Sequence, residues 1–301
     1  MVPRKEMRMK IRFLIFTLAL LVSSLYFSHD LFTQEVSDKT LNKLKLNKIL
    51  EKSKQYCRKL EKGAFNFVCS EEIVEIVNHE GVDQQLLLPT RYIPRDTYVL
   101  ETYENTKKNT YLYEYQLIAK EGEDREKRTL LEKNGKKKNE KNAPLETQYF
   151  RYGRIVFGPL GLLNEYWQHY HDYIIVNEEM LDGENTIVVE AVPKPSLDEN
   201  HPYGKVWVRE SDFAILKIEW DQKSLKQLEE LKEQASMFDV EQKITLISEF
   251  SYEKNGIRFP SRFLFEEAYV NEEGKKIVRS MIHTVYKDYK FFTVDVDVEV
   301  K

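Results

Sequence analysis

The chain has 301 residues, with 46 lysines and arginines against 50 aspartates and glutamates, and a formal net charge of −4. This length is enough for one large domain or two small ones, and no segment between the predicted strands reads as a linker that would require two. The balanced charge gives no overall attraction to nucleic acid or to anionic lipid, so a nucleic-acid partner is not expected. We therefore expect a single domain over residues 29–301.

Residues 1–28 have the order of a secretory signal, in which basic residues precede an apolar run. Five lysines and arginines occur before Phe13, and the segment from Phe13 to Val22 is apolar apart from Thr17. Counted to Phe27, the run is about 15 residues, or roughly 22 Å as a helix, against about 30 Å of membrane hydrocarbon. We expect a signal peptide and an exported protein of the periplasm or cell envelope, with an uncleaved inner-membrane anchor as the alternative.

A helix is predicted between about Lys39 and Leu60, because apolar residues recur there at three- and four-residue steps with lysines and glutamates between them. Gly63 follows and would terminate this helix. The helix either plugs the concave side of a curved sheet or is an ordinary core helix. The positions that carry the pattern are Leu46, Ile49, Leu50, Ser53, Tyr56, Cys57 and Leu60.

Cys57 and Cys69 are the two cysteines of the chain. In an exported protein an even number of cysteines most simply pairs, and the bond would tie the predicted helix to the first strand. Two buried free thiols or half of a metal site are the alternatives, although the chain has neither a C-x-x-C motif nor a nearby histidine cluster. We predict a disulfide between Cys57 and Cys69.

Three tyrosines at alternate positions, Tyr111, Tyr113 and Tyr115, mark one face of a predicted strand. Their apolar rings and polar tips suit the mouth of a cavity, or they simply pack across neighbouring strands. The basic run Lys133–Lys141 is predicted to be a solvated loop, with docking on an acidic partner or on lipid headgroups as the alternative. The strands of this half are predicted at Ala64–Val77, Tyr98–Tyr103, Thr110–Lys120 and Arg125–Glu132.

The segment Ile155–Tyr170 is rich in apolar residues, but glycine and proline at 158, 159 and 161 interrupt it and form helix poorly. A lid over an apolar cavity would need such hinges. The alternative is a buried loop that leads into a short helix at Leu162–Gln168. His169, His171 and Asp172 follow as a metal-like group, but two histidines on one strand face supply only two ligands, so neither a metal nor a cofactor is predicted.

Two hairpins are predicted in the second half of the chain. The first pairs Tyr173–Val176 with Thr186–Val192 around Asp182-Gly183, and the second pairs Gly204–Arg209 with Phe213–Trp220. Both faces of Phe213–Trp220 carry apolar residues, so other elements must cover it. A second amphipathic helix is predicted at Gln222–Phe238, and then a meander with an Asn255-Gly256 turn and strands at Ile244–Lys254, Ile257–Val270, Lys276–Tyr289 and Phe291–Val300.

This order of elements resembles a known family. The Asp-Gly hairpin, the strand that ends in Glu190-Ala191-Val192-Pro193-Lys194-Pro195, and then Gly204–Arg209 and Ile215–Trp220 are similar to the outer-membrane lipoprotein-sorting proteins, the LolA-like group. The resemblance is closest over about residues 170–220 and looser from about 40 to 300. It implies an α+β fold, an incomplete antiparallel β-barrel or half-barrel with helices covering the concave side, and an apolar cavity for acyl chains.

The chain contains none of the common catalytic motifs G-x-S-x-G, P-loop, H-E-x-x-H or G-x-G-x-x-G, and its carboxylates are predicted on wet strand faces. We therefore expect no enzyme but a carrier or chaperone that buries the acyl chain of a lipid or lipoprotein and exchanges it with envelope membrane proteins. The alternative is a periplasmic sensor or interaction module of the same fold that binds a protein partner. The residues predicted to contact lipid are Phe157, Leu160, Leu162, Leu163, Trp167, Leu225, Leu228 and Leu231.

Overall fold

The computed structural model describes residues 41–61, 66–78, 106–120, 123–148, 150–152, 158–195, 201–225, 240–271, 274 and 276–292. The chain divides into two compact units, residues 1–49 and 50–301. The predicted signal segment, its boundary at residue 28, the predicted strand Tyr98–Tyr103 and most of the predicted helix Gln222–Phe238 lie outside the described residues. Among the described residues, no helix has the length and apolar character needed to cross a membrane.

The described strands of the larger unit are β1 Asn66–Asn78, β2 Thr106–Lys120, β3 Glu123–Lys133, β4 Lys136–Lys141, β5 His171–Leu181, β6 Glu184–Pro193, β7 Gly204–Arg209, β8 Ile215–Trp220, β9 Glu241–Glu249, β10 Tyr252–Lys254, β11 Ile257–Phe259, β12 Arg262–Val270 and β13 Lys276–Phe292. Eleven of them form one antiparallel sheet, in the order β4-β3-β2-β1-β13-β12-β9-β8-β7-β6-β5. β10 and β11 form a separate hairpin. The edge strands β4 and β5 do not pair with each other, so the described sheet does not close. The antiparallel sheet is confirmed, and the half-barrel curvature stays a prediction.

One face of the sheet, named here the covered face, carries the main core. In β1 every odd-numbered residue from Phe67 to Val77 is buried, as the two-residue period of a strand requires. The pairing register extends this face across the sheet, because Tyr113 of β2 lies opposite Glu71 and Glu71 lies opposite Tyr286 of β13. The predicted shared face of Tyr111, Tyr113 and Tyr115 is confirmed, since all three are buried on it.

Few helices accompany the sheet. Residues 41–61 are helical and form α1, whose buried positions Ser53, Tyr56, Cys57 and Leu60 confirm the predicted helical period. The predicted helix Leu162–Gln168 is instead two single turns, α2 at Leu160–Leu163 and α3 at Glu165–Gln168. Asn164 causes the break: its backbone is extended, and its side chain accepts a hydrogen bond from the Trp167 amide, which caps α3. A short 3-10 helix follows at Gln222–Ser224.

The hairpin turns form as their dipeptides predict. Both residues of Asn134-Gly135, Asp182-Gly183 and Asn255-Gly256 have positive φ, which suits the two-residue turns that join antiparallel strands. One strand begins later than predicted. Phe213 has a φ of 64°, so it belongs to the turn, and β8 begins at Ile215.

Other boundaries differ from the prediction for local reasons. Pro260 has no amide hydrogen to donate, and the predicted strand Ile257–Val270 divides there into β11 and β12. The predicted strand Ile244–Lys254 likewise divides into β9 and β10. The basic run, predicted to be a loop, contains the edge strand β4, whose six residues are all exposed. Lysines on such an edge discourage pairing with another chain.

Candidate ligand-binding site

An irregular segment between β4 and α2 lies on the covered face. We name its described residues, 143–148 and 150–152, the strap. The Tyr113 hydroxyl donates to the Pro144 carbonyl at 3.2 Å and accepts from the Glu146 amide at 3.1 Å. The Tyr111 hydroxyl lies 3.2 Å from the Glu146 carbonyl. Side chains of β2 therefore hold the main chain of the strap.

The aromatic rings of the strap lie on aromatic rings of β12. Phe150 stacks on Phe265 with a centroid separation of 4.1 Å and an angle of 9° between the ring planes. The ring centroids of Tyr152 and Phe263 are 4.2 Å apart. The two rings of the strap thus cover Phe263 and Phe265, which are named here the aromatic floor.

Beside this floor the covered face carries a buried ion pair. Glu71 is fully buried and accepts from Arg128 at 2.7 Å through Nε and at 3.2 Å through a second nitrogen. The Tyr286 hydroxyl donates to the same carboxylate at 2.9 Å, and the Tyr152 hydroxyl lies 2.7 Å from Thr284 Oγ1. Burial disfavours the charge of Arg128, but Glu71 outweighs this and raises the pKa of Arg128.

A second buried carboxylate, Glu75, lies on the same face of β1, four residues after Glu71. It accepts from Asn109 at 3.1 Å, from the Tyr111 hydroxyl at 3.2 Å and from the Gln148 amide of the strap. The prediction that the carboxylates lie on wet faces is therefore wrong for Glu71 and Glu75. Both share the odd-numbered, buried face of β1, where hydrogen-bond donors replace water.

The tyrosines of this face remain neutral donors. Burial raises the pKa of Tyr113 to about 12. Burial and the nearby Glu71 also raise the pKa of Tyr152 and Tyr286 well above the ordinary value. Neutral hydroxyls can bind carbonyl and amide groups, so the face is suited to recognition of polar groups beside an apolar surface.

The predicted lid residues that the structure describes divide between two places. Leu162 and Leu163 of α2 are fully buried, whereas Leu160 and Leu225 pack with the main core of the covered face. Trp167 is half-buried and stacks on His201 with a centroid separation of 3.6 Å. Phe157, Leu228 and Leu231 lie outside the described residues.

The two turns α2 and α3, named here the helical cover, are tied to the sheet by side chains that bind main-chain carbonyls. The Tyr173 hydroxyl donates to the Leu162 carbonyl. His171 Nδ1 lies 2.9 Å from the Trp167 carbonyl, and His201 Nε2 lies 2.6 Å from that of Gly161. Tyr173 and His171 thus attach the helical cover to β5, and His201 attaches it to the segment that leads into β7.

His171 and His169 do not form a metal site with Asp172. His171 is buried, whereas His169 is bound to the Glu165 carbonyl at the end of α3 and Asp172 pairs with Lys194. Within the described ranges, no group of three or more histidine, cysteine, aspartate or glutamate side chains is placed to hold a metal ion.

We predict that acid weakens the attachment of the helical cover. Burial lowers the pKa of His171 and His201 in the folded protein. As the pH falls below about 6.5, the unfolded chain therefore binds more protons at these histidines than the folded protein does. The free energy of unfolding should therefore decrease from pH 7 toward pH 5. His171→Asn keeps a donor for the Trp167 carbonyl and removes the titration, so it should flatten this dependence, as measured by urea unfolding at several pH values.

His169→Asn is the matched control, because His169 is exposed and also bonds a carbonyl of this segment. An equal loss of slope in His169→Asn and His171→Asn would show that the removal of any imidazole from this segment, rather than the burial of His171, causes the change. Burial also lowers the pKa of His201 and His283, so these two histidines should keep a residual slope in both variants. A slope in the His171→Asn protein equal to that of the wild type would show that His171 does not titrate as inferred.

The predicted disulfide is not present in this structure. Cys57 and Cys69 are both free and buried, and the Cys57 sulfur faces the Pro159 carbonyl at 3.7 Å. Burial raises the pKa of both thiols, which leaves little reactive thiolate. Cys57 instead contacts the residue that begins the helical cover.

Two open depressions lie on the surface of the larger unit. One of about 440 Å³ is lined by Arg58, Glu61, Asn164, Glu165, Tyr166 and His169. The other, of about 430 Å³, lies at the end of β8 beside Glu219, Trp220 and Lys243. The charges around both make them unlike a pocket for hydrocarbon, which is lined mainly by apolar side chains.

Sequence reasoning missed the strap and the two buried glutamates. The glutamates could have been found, because Glu71 and Glu75 fall in register with the buried Phe67, Ile73 and Val77. The strap carries no such signal. Its Asn142–Tyr152 segment has neither a helical nor a long strand period, and its position follows from contacts with residues far away in the chain.

No protein-family model matches the chain, and no curated protein matches it. Among solved structures, an outer-membrane lipoprotein-sorting protein domain from Vibrio parahaemolyticus is similar at 12% identity and a TM-score of 0.42, covering 82% of this chain and 94% of that one. A LolA-superfamily protein from Nitrosomonas europaea is similar at 14% identity and a TM-score of 0.36, over 85% and 97% of the two chains.

A DUF1329-family protein from Desulfovibrio piger is similar at 12% identity and a TM-score of 0.35, over 84% of this chain and 95% of that one. Two of these structures, the lipoprotein-sorting domain and the LolA-superfamily protein, carry the name of the group that the order of strands resembles.

Proposed function

We propose that the protein is an exported, non-catalytic binding protein that holds the acyl chain of a lipid or lipoprotein on the covered face. One observation carries this proposal. The aromatic floor of Phe263 and Phe265 is occupied by Phe150 and Tyr152 of an irregular strap rather than by a helix or strand. A segment without regular hydrogen bonding is easier to displace than one that belongs to a sheet.

Displacement of the Phe150 and Tyr152 rings from the floor would exchange one apolar contact for another. Each methylene group of an acyl chain contributes about 0.8 kcal/mol when it leaves water, so a chain of ordinary length offsets the loss of two ring contacts. No chemical step is needed. Affinity comes from burial, and release follows when the strap returns to the floor.

The helical cover would move with the ligand or guide it. It presents Leu160, Leu162 and Leu163 inward, and the side chains of Tyr173, His171 and His201 bind its main-chain carbonyls. With Leu225 and Trp167, these leucines form the described part of the proposed lipid site. Phe157, Leu228 and Leu231 complete it in the proposal, and envelope membrane proteins are the proposed donors and acceptors of the lipid.

A second candidate is an envelope interaction module that binds a protein partner. The main chain of the strap is bound by the Tyr111 and Tyr113 hydroxyls and by the Glu75 carboxylate, which are groups that recognise polypeptide. A protein segment would satisfy these groups as well as the strap does.

We predict that a fluorescently labelled fatty acid binds saturably to the folded protein and that Phe150→Ala strengthens binding by about fivefold or more, because the variant uncovers the floor. Fluorescence titration measures both effects. Met180→Ala is the control, since Met180 is exposed on the edge strand β5 and its loss should not change the affinity. The lipid proposal fails if neither the wild type nor the folded Phe150→Ala variant binds the fatty acid and the exported protein co-purifies with no lipid.

A further inference from the structure

The strap makes the contacts of a bound peptide. It begins with one main-chain hydrogen bond to the sheet, from the Ala143 amide to the Arg128 carbonyl at 2.9 Å. Beyond it, sheet side chains bind the carbonyls of Pro144 and Glu146 and the amides of Glu146 and Gln148. The sheet therefore recognises this segment through its main chain.

The side chains of the strap follow the period of an extended chain. Leu145 and Thr147 are buried, while Pro144 and Gln148 on either side of them are exposed. Phe150 and Tyr152 then place two rings, separated by one exposed residue, against Phe265 and Phe263.

We propose that the covered face over β2, β1, β13 and β12 is a binding groove for an extended peptide of a partner protein, and that the strap is its built-in occupant. The partner segment has two small or apolar side chains at alternate positions, followed by two aromatic side chains at alternate positions. This inference rests on the second candidate function, the interaction module, and specifies its ligand as an extended polypeptide that uses the polar half of the face as well as the aromatic floor.

The polar half of the groove favours peptide over hydrocarbon. If the strap leaves, the Tyr113 hydroxyl loses both its main-chain partners, and Thr284 loses the Tyr152 hydroxyl. Hydrocarbon offers no hydrogen bond, so these buried groups would stay unsatisfied, which is costly. A second polypeptide supplies carbonyl and amide groups at the same spacing.

The strap competes with any partner because it belongs to the same chain. An intramolecular segment acts at a high effective concentration, so the intact protein should bind a peptide weakly until the strap is weakened. Its two rings are the contacts to remove, since they lie at the end of the segment and their loss leaves the main-chain contacts of Tyr111, Tyr113 and Glu75 in place.

The test uses a labelled synthetic peptide with the sequence of residues 142–152 and the variant Phe150→Ala/Tyr152→Ala. Fluorescence anisotropy should show saturable binding to the folded variant, tighter than to the wild type by about tenfold or more. The same peptide with alanine in place of its two aromatic residues should bind at least about tenfold more weakly, because it cannot fill the floor. If the double variant is unfolded by circular dichroism, Phe150→Leu replaces it, because leucine keeps apolar packing and loses the ring stacking.

Two outcomes would overturn this inference. One is that the peptide does not bind to a folded, strap-weakened variant. The other is that the peptide with alanines binds as well as the native sequence. A labelled fatty acid added to the same variant separates the proposals: binding of fatty acid without peptide rejects the peptide groove and keeps the lipid function, and binding of peptide alone rejects the lipid function.

Discussion

Arg128→Met is expected to lower the free energy of unfolding by about 3–5 kcal/mol, because it leaves the fully buried Glu71 carboxylate without its cation. Methionine keeps much of the length of the side chain, so lost packing is a small part of the effect. The Tyr286 hydroxyl would still donate to Glu71, but a neutral donor does not balance a buried charge. Urea unfolding followed by circular dichroism measures the change.

Two further variants identify the cause. Adding Glu71→Gln to Arg128→Met removes the unpaired buried charge of the Glu71 carboxylate and should recover a large part of the lost stability. Lys287→Met breaks a pair with Glu72 that is short, at 2.6 Å, but half-exposed, so it should cost less than about 1 kcal/mol. If Arg128→Met costs no more than Lys287→Met, the ion pair is not needed to keep Glu71 in the core.

The sheet could be predicted well because its signals are local. A two-residue period placed Tyr111, Tyr113 and Tyr115 on one face, and the Asn255-Gly256 dipeptide placed a hairpin, since both need only neighbouring residues to act. The breaks at Asn164 and Phe213 were missed. Each depends on one residue whose backbone departs from the surrounding pattern, extended at Asn164 and left-handed at Phe213.

The candidate site could be predicted only in part, because its contacts are distant in sequence. Leu162, Leu163 and Leu225 are buried, as apolar residues of a cover should be. Tyr152, however, meets Thr284 from 132 positions away, and Tyr286 meets Glu71 from 215 positions away. A polar residue in a strand is predicted to face solvent unless its hydrogen-bond partner is known. A local sequence pattern cannot identify a partner that is distant in the chain.

Gly204→Ala is expected to destabilise the protein by about 3 kcal/mol, because the added methyl group has no room between β7 and β8. Gly204 is buried opposite Trp220, and a β-carbon there would lie 2.2 Å from the Glu219 carbonyl oxygen and 2.8 Å from the Trp220 α-carbon. Both obstacles are main-chain atoms, so no side-chain rotation can relieve the clash. The two strands must separate where the 2.8 Å hydrogen bond from the Asp221 amide to the Tyr203 carbonyl holds them.

Two measurements check this expectation. Urea unfolding gives the loss of stability, and hydrogen exchange should accelerate at the Asp221 amide before it does at amides of β1, since the separation begins where β7 starts and β8 ends. Gly161→Ala is the matched control. Its β-carbon would lie 3.8 Å from the His201 ring, an ordinary contact, and alanine is favoured over glycine in a helix, so stability should be unchanged or slightly increased. Equal stability of the two variants would mean that β7 and β8 do not approach as closely at Gly204 as this pairing requires.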